Sequence, residues 1–136
     1  MSKRPVTDKP YNTLRDELQV IVKEMNDFLE KERNNSSAQG YFEDMAGILY
    51  EDTGHKATVY GQIVFRYPDD PKNYYWVFRF RNIVPLEEDF LQKGVEMVLE
   101  ELRESRDWFI DNIHKDIPAF LKELLSGTFK GHKEDN

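Results

Sequence analysis

The residues best placed to do chemistry in this chain are arginines, tyrosines and carboxylates, and they fall into two clusters. The first is Tyr60, Arg66, Tyr75, Arg79 and Arg81, all within TVYGQIVFRYPDDPKNYYWVFRFRNIV between Thr58 and Val84. Arginine forks and tyrosine rings on one surface can hold phosphates and stack bases, and the same residue types are enriched in protein interfaces. The second is a row of glutamates, Glu96, Glu100 and Glu104, extended by Asp107 and Asp111. Helical spacing sets such carboxylates on one face, where each like-charged pair costs about 0.2–0.5 kcal/mol in an isolated helix. A row of that kind can dock a basic protein or imitate the phosphates of DNA. The plainer readings are a sheet face whose arginines pair internally and an ordinary solvated helix face, with Arg103 and Arg106 diluting the charge.

Other chemistries find little support. The chain has no cysteine, which excludes disulfides, thiolate catalysis and cysteine-ligated metals. It carries no nucleophile–histidine signature, glycine-rich phosphate loop or dinucleotide fingerprint, and Gly54, Gly61 and Gly94 stand singly. Asp107, Asp111 and His114 could share a helix face, but a bundle di-metal site needs paired Glu-x-x-His motifs, and His55 and His132 fall in a turn and a tail. No metal or cofactor is expected. The reading leans against an enzyme, the alternative being an unrecognised carboxylate site among the 26 acidic residues.

The 136 residues carry a net charge of −7, which makes the chain a poor generic binder of nucleic acid or anionic membrane. No RNP signature is present. The helix–three strands–helix order is shared with double-stranded-RNA-binding modules, but their basic start of the second helix is replaced here by Leu86-Glu87-Glu88-Asp89. No apolar segment follows Met1-Ser2-Lys3-Arg4-Pro5, and no apolar run approaches the roughly 20 residues that span a bilayer. A cytoplasmic protein is the expectation.

The elements that must position these clusters are a hairpin and its helices. Pro68-Asp69-Asp70-Pro71-Lys72-Asn73 divides the aromatic stretch as a turn. Pairing Tyr67 with Tyr74 sets Phe65 against Trp76, Ile63 against Phe78 and Gly61 against Phe80. Alternation then assigns Val59, Ile63, Phe65, Trp76, Phe78 and Phe80 to a core face. Tyr60, Gln62, Val64, Arg66, Tyr75, Val77, Arg79 and Arg81 take the other. Gly61 leaves room for the Phe80 ring or marks a bulge.

Leu14, Leu18, Ile21, Met25 and Phe28 recur at helical spacing and predict a helix from about Asn12 to Arg33, capped by Thr13 with Asp16. Tyr41–Glu51 fits a helix face or a strand; a third strand at Gly47–Glu51 is preferred, since a lone hairpin is marginal, with a turn at Asp52–His55. Pro85 opens a long helix whose stripe is Leu91, Val95, Val98, Leu102, Phe109 and Ile113, with Gly94 as its weak spot. That helix either breaks near Ser105 or projects into a partner. Pro118 starts a last short helix, ended by Ser126-Gly127.

The fold class is therefore α+β: an N-terminal helix, a two- or three-stranded antiparallel meander, then a long helix and a short C-terminal helix on one sheet face. Residues 1–10 read as a flexible leader, 11–126 as one domain and 127–136 as a flexible tail. The expected function is a small acidic protein-binding module, an adaptor, inhibitor or regulatory subunit, using Tyr60, Arg66, Tyr75, Arg79 and Arg81 together with Glu96, Glu100 and Glu104. The alternative is a nucleic-acid binder through the sheet face or a DNA mimic through the helix. A homodimer through the long apolar helix competes with coverage of that helix by its own chain.

Overall fold

The apolar stripe of the first helix can leave water only against another element, and it finds both the sheet and the second helix. The computed structural model describes residues 7–33, 40–51, 53–66, 75–113 and 132–133, at 32–33, 75–76, 112–113 and 132–133 by backbone alone. Helix α1 spans Lys9–Arg33 and buries Leu14, Leu18, Ile21, Val22, Met25 and Leu29. It starts ahead of the expected Asn12 because its cap is Thr7-Asp8, not Thr13 with Asp16. The Asn12 N–H donates to the Asp8 carbonyl (2.9 Å) and the Lys9 N–H to Thr7 Oγ1 (3.2 Å). Pro10 in the first turn costs no helical hydrogen bond.

Three long antiparallel strands follow: β1 Tyr41–Glu51, β2 Lys56–Arg66 and β3 Tyr75–Pro85. Strand β1 is eleven residues long, beginning well before the expected Gly47. The β1–β2 turn contains His55 at φ 49°, and the Leu86 N–H closes this end by donating to the His55 carbonyl (2.8 Å). Helix α2 spans Glu88–Ile113. The two-residue strand β4, His132–Lys133, extends the sheet in the order β1-β2-β3-β4 from within the segment expected to be a tail. The expected helix at Pro118 and the turn at Pro68–Asn73 lie outside the described residues.

The β2–β3 register confirms the pairings Gly61–Phe80 and Ile63–Phe78 and corrects Phe65–Trp76, while the Tyr67–Tyr74 pairing lies outside the described residues. A bulge between Ile63 and Val64 sets Val64 against Trp76 and Phe65 against Tyr75. Val77 is the extra residue. Expected on the arginine face, it packs against the core instead. A bulge inserts one residue into one strand, so every alternation counted through it is off by one.

The core lies between the helices and one face of the sheet. Ala57, Val59, Ile63 and Phe65 of β2 are buried with Phe42, Val84 and the inner faces of α1 and α2. The helices run parallel: Thr7 meets Glu88, Glu17 meets Arg103 and Glu24 meets Arg106 in the same order along both. Gly61 makes this approach possible. A Cβ there would stand 2.9 Å from Leu102 Cδ1, 3.2 Å from Val98 Cγ1 and 3.6 Å from Leu18 Cδ2. Its missing side chain admits both helices. Gly94, expected as a weak spot, is the matching point on α2, where a Cβ would meet Val84 and Val59 at 3.2 and 3.3 Å.

Helix α2 is unbroken. Ser105 is buried in it and donates Oγ–H to the Glu101 carbonyl (3.0 Å), a bond to the preceding turn that satisfies the hydroxyl without interrupting the helix. The stripe Leu91, Val95, Val98, Leu102 and Phe109 is buried within the chain, as is Leu99. Most of the stripe is thus covered by its own chain, the Ile113 side chain lies outside the described residues, and Phe90, Met97 and Trp108 remain as exposed apolar positions.

Candidate interaction surfaces

The sheet face away from the helices is built in rows across the strands. Leu49, Thr58 and Ile83 form one row, Gly47, Tyr60 and Arg81 the next, then Met45, Gln62 and Arg79. Leu49 and Ile83 are 61% and 59% exposed, and Arg79 and Arg81 are exposed beside them. Tyr60 is anchored: its ring covers Gly47, where a Cβ would fall 2.7 Å from the Tyr60 hydroxyl oxygen. An aromatic ring laid over a strand glycine replaces the packing that residue lacks.

The other half of this face is closed. Val64 and Gln62 are buried, at 0% and 5% exposure. Among the described residues Gln62 Nε2 donates to Met45 Sδ (3.7 Å), and its Oε1 is buried with no hydrogen-bond partner. Arg66 is held by Glu43 of the adjacent strand, Nε to Oε2. Partial burial, then the Glu43 carboxylate, pushes the Tyr41 phenol above its ordinary range. Of the expected cluster, Tyr60, Arg79 and Arg81 stand together, Arg66 is in an ion pair, and Tyr75 takes the register position opposite Phe65.

Glu96, Glu100 and Glu104 are exposed on α2 and form no ion pair among the described residues. Arg103, which lies beside them in sequence, pairs with Glu17 of α1 (3.2 Å), and Arg106 bridges Glu24 of α1 (3.2 Å) and Asp107 of its own helix (3.0 Å). Of the row, Asp107 is compensated by Arg106, and Glu96, Glu100 and Glu104 have no ion pair among the described residues. The row lies on the helix side of the sheet and the Arg79–Arg81 pair on the other, so the two clusters share no surface.

A groove runs between α2 and β3. Phe78, Phe80, Glu101, Glu104, Ser105 and Trp108 line it. Phe78 and Trp108 meet edge to face at 6.2 Å, and Asn82 Nδ2 donates to Met97 Sδ (3.2 Å) farther along. Leu49, Ile83, Glu101 and Trp108 were not among the sequence candidates. Strand parity with Arg79 and Arg81 could have found Ile83; the groove depends on how α2 lies across β3 and has no sequence signal.

Where α1 and α2 begin, Thr7 donates its N–H and its hydroxyl to the two Glu88 oxygens (3.1 and 2.6 Å). The Tyr50 phenol nearby is pushed above its ordinary range by partial burial, reinforced by Asp8 and Glu88. Among the described residues no three histidines or acids gather to hold a metal, and no helix is long and apolar enough to cross a membrane. No family model, curated protein or solved structure matches this chain.

Proposed function

We propose that this protein is a binding module for another protein, with its principal contact on the open half of the outer sheet face. The observation that carries the reading is the patch of Leu49, Ile83 and the anchored Tyr60 bordered by Arg79 and Arg81. Apolar side chains set among arginines and a rigid tyrosine are what protein interfaces concentrate at their energetic centre. An adaptor, inhibitor or regulatory subunit fits such a surface. A nucleic-acid platform is less well served, because Tyr60 lies flat on Gly47 and offers no freely stacking pair of rings.

Affinity capture from the source cell, read by mass spectrometry, tests the proposal. A specific partner held by the wild type is expected to be lost with Arg79→Glu/Arg81→Glu and with Leu49→Asp. Retention of that partner by both variants would sink the reading. Fluorescence anisotropy with labelled single- and double-stranded oligonucleotides at low salt separates the alternative. Binding that weakens steeply with added salt would transfer the surface to nucleic acid.

A further inference from the structure

On the outer sheet face a shallow trough runs along β2 toward the β1–β2 turn. Its walls are Leu49 on β1 and Ile83 on β3, 61% and 59% exposed, with the smaller, half-buried Thr58 between them in the same row. Neighbouring strands lie about 4.8 Å apart, so the two apolar walls stand roughly 10 Å from each other. Farther along, the Tyr60 ring laid over Gly47 forms the floor. Lys56 borders the trough in the row before Thr58, and Arg81 in the row after it. Both are exposed and form no ion pair among the described residues. The carboxylate of these rows, Glu51, sits on β1, so the β3 side of the trough is the basic one. Beside Ile83 the surface opens into a cavity of about 350 Å³ lined by Gly54, His55, Lys56, Ile83, Val84 and Pro85.

We infer that this trough takes an amphipathic α-helix of a partner protein, apolar along the seated stripe and acidic along the flank that faces β3. The inference rests on the reading of the chain as a protein-binding module and specifies the form and chemistry of what it binds. A sheet face offers side chains but no backbone hydrogen bonds. A segment seated there must satisfy its own N–H and C=O groups, which a helix does and an extended segment does not. A helix is about 10–12 Å across with its side chains, which matches the span from Leu49 to Ile83. Apolar residues at i, i+3, i+4 and i+7 supply the stripe that meets Leu49, Thr58 and Ile83. One long apolar residue of the stripe enters the cavity beside Ile83 as its anchor. Carboxylates on the β3 flank pair with Arg81, and with Lys56 at the end of the trough. The net charge of −7 opposes the approach of an acidic partner. That repulsion is screened beyond about 8 Å in physiological salt, whereas contacts with Lys56 and Arg81 act inside this distance.

The probes are fluorescein-labelled synthetic peptides of about eighteen residues with one shared leucine stripe and glutamate, glutamine or lysine along one flank. A further peptide carries the glutamate flank with prolines in its middle, which forbid the helix. Fluorescence anisotropy should rank the flanks glutamate, glutamine, lysine, with a loss of roughly tenfold or more from first to last and no binding of the proline peptide. Leu49→Asp should abolish binding of the glutamate peptide. Lys56→Glu/Arg81→Glu should reverse the ranking, so that the lysine peptide binds best. Leu49, Lys56 and Arg81 are exposed, so these variants leave the core intact. The inference is overturned by no binding of the glutamate peptide at about 1 mM, by equal affinity of the proline peptide, or by a ranking that Lys56→Glu/Arg81→Glu leaves unchanged. Self-association in the absence of peptide that Leu49→Asp abolishes also overturns it and assigns the face to a second copy. The glutamate peptide should displace the partner captured from cells. A partner that is lost with Leu49→Asp but not displaced by the peptide removes the helix and keeps the sheet-face reading. A partner indifferent to Leu49→Asp and to Arg79→Glu/Arg81→Glu removes both.

Discussion

Asn26 on α1 and Phe42 on β1 exchange two hydrogen bonds, so a helix side chain stands where the next strand of the sheet would be. Strand β1 is an edge. Covering an edge with a helix residue is one way to keep it from pairing with foreign strands. The contact also joins the two layers at the start of the meander. Asn26→Ala leaves both Phe42 groups without this partner and is expected to cost about 1–3 kcal/mol. Asn26→Asp keeps an acceptor for the N–H but faces the carbonyl with a carboxylate, and should be no better than alanine. Chemical denaturation measures both. An aspartate variant as stable as wild type would show that the carbonyl contact contributes nothing.

Phe42 also sits at the centre of the aromatic core. Its ring meets Phe65 at 5.0 Å and Phe109 at 5.3 Å, both edge to face. It links β1, β2 and the far end of α2. Phe42→Ala should cost about 3–5 kcal/mol, enough to unfold many domains of this size. Phe42→Leu should retain the fold with a smaller loss. Thermal melts followed by circular dichroism distinguish these outcomes.

Gly61→Ala introduces a methyl 2.9 Å from Leu102 Cδ1 and 3.2 Å from Val98 Cγ1. Both helices must shift or repack, and the expected destabilisation is about 1–3 kcal/mol. Gly94→Ala makes contacts of 3.2 and 3.3 Å but gains about 1 kcal/mol of helix propensity, so it should be the milder change. Equal denaturation midpoints for the two variants would contradict the assignment of Gly61 as the closest point between the layers.

Gln62 holds a buried oxygen without a partner among the described residues. Replacing such a group by an apolar side chain of similar shape relieves its desolvation cost. Gln62→Met is therefore expected to raise stability by about 1 kcal/mol, read as a higher denaturant midpoint at unchanged slope. A lower midpoint would indicate that the amide forms bonds worth more than its burial costs.

The Tyr50 phenol titrates above its ordinary value of 10.0 in the folded chain because of partial burial and the nearby Asp8 and Glu88 carboxylates. The unfolded chain releases that proton first as pH rises. The contribution of Tyr50 is thus complete below pH 10.0 and declines as pH climbs through the folded-state value. Difference absorbance titration of wild type against Tyr50→Phe should show one phenol ionising late. The variant should lose less stability in that alkaline range. A Tyr50 phenol that titrates with the exposed tyrosines would remove this linkage.

By itself the sequence determined the class and most of the element order. The 3.6-residue stripe from Leu14 to Met25 and the alternation of Val59, Ile63, Phe78 and Phe80 each satisfy one periodicity, because burial acts on every turn or every second residue. Two of the hairpin pairings followed from that alternation alone. Three features needed the folded chain. The bulge that turns Val77 inward has no local signal, since one inserted residue looks like any other until its partner strand is counted against it. The length of β1 was hidden because Tyr41, Met45 and Ile48 suit a helix face equally well, and only pairing with β2 settles the choice. The surface was least legible of all. Arg79 and Arg81 were readable from strand parity, but the ion pair of Arg66 with Glu43 and the turning of Arg103 and Arg106 toward α1 depend on which chains pass within a few ångströms. Charge and ring contacts act over those distances in space, and the segments that meet at Glu17, Arg103, Phe78 and Trp108 are far apart along the chain.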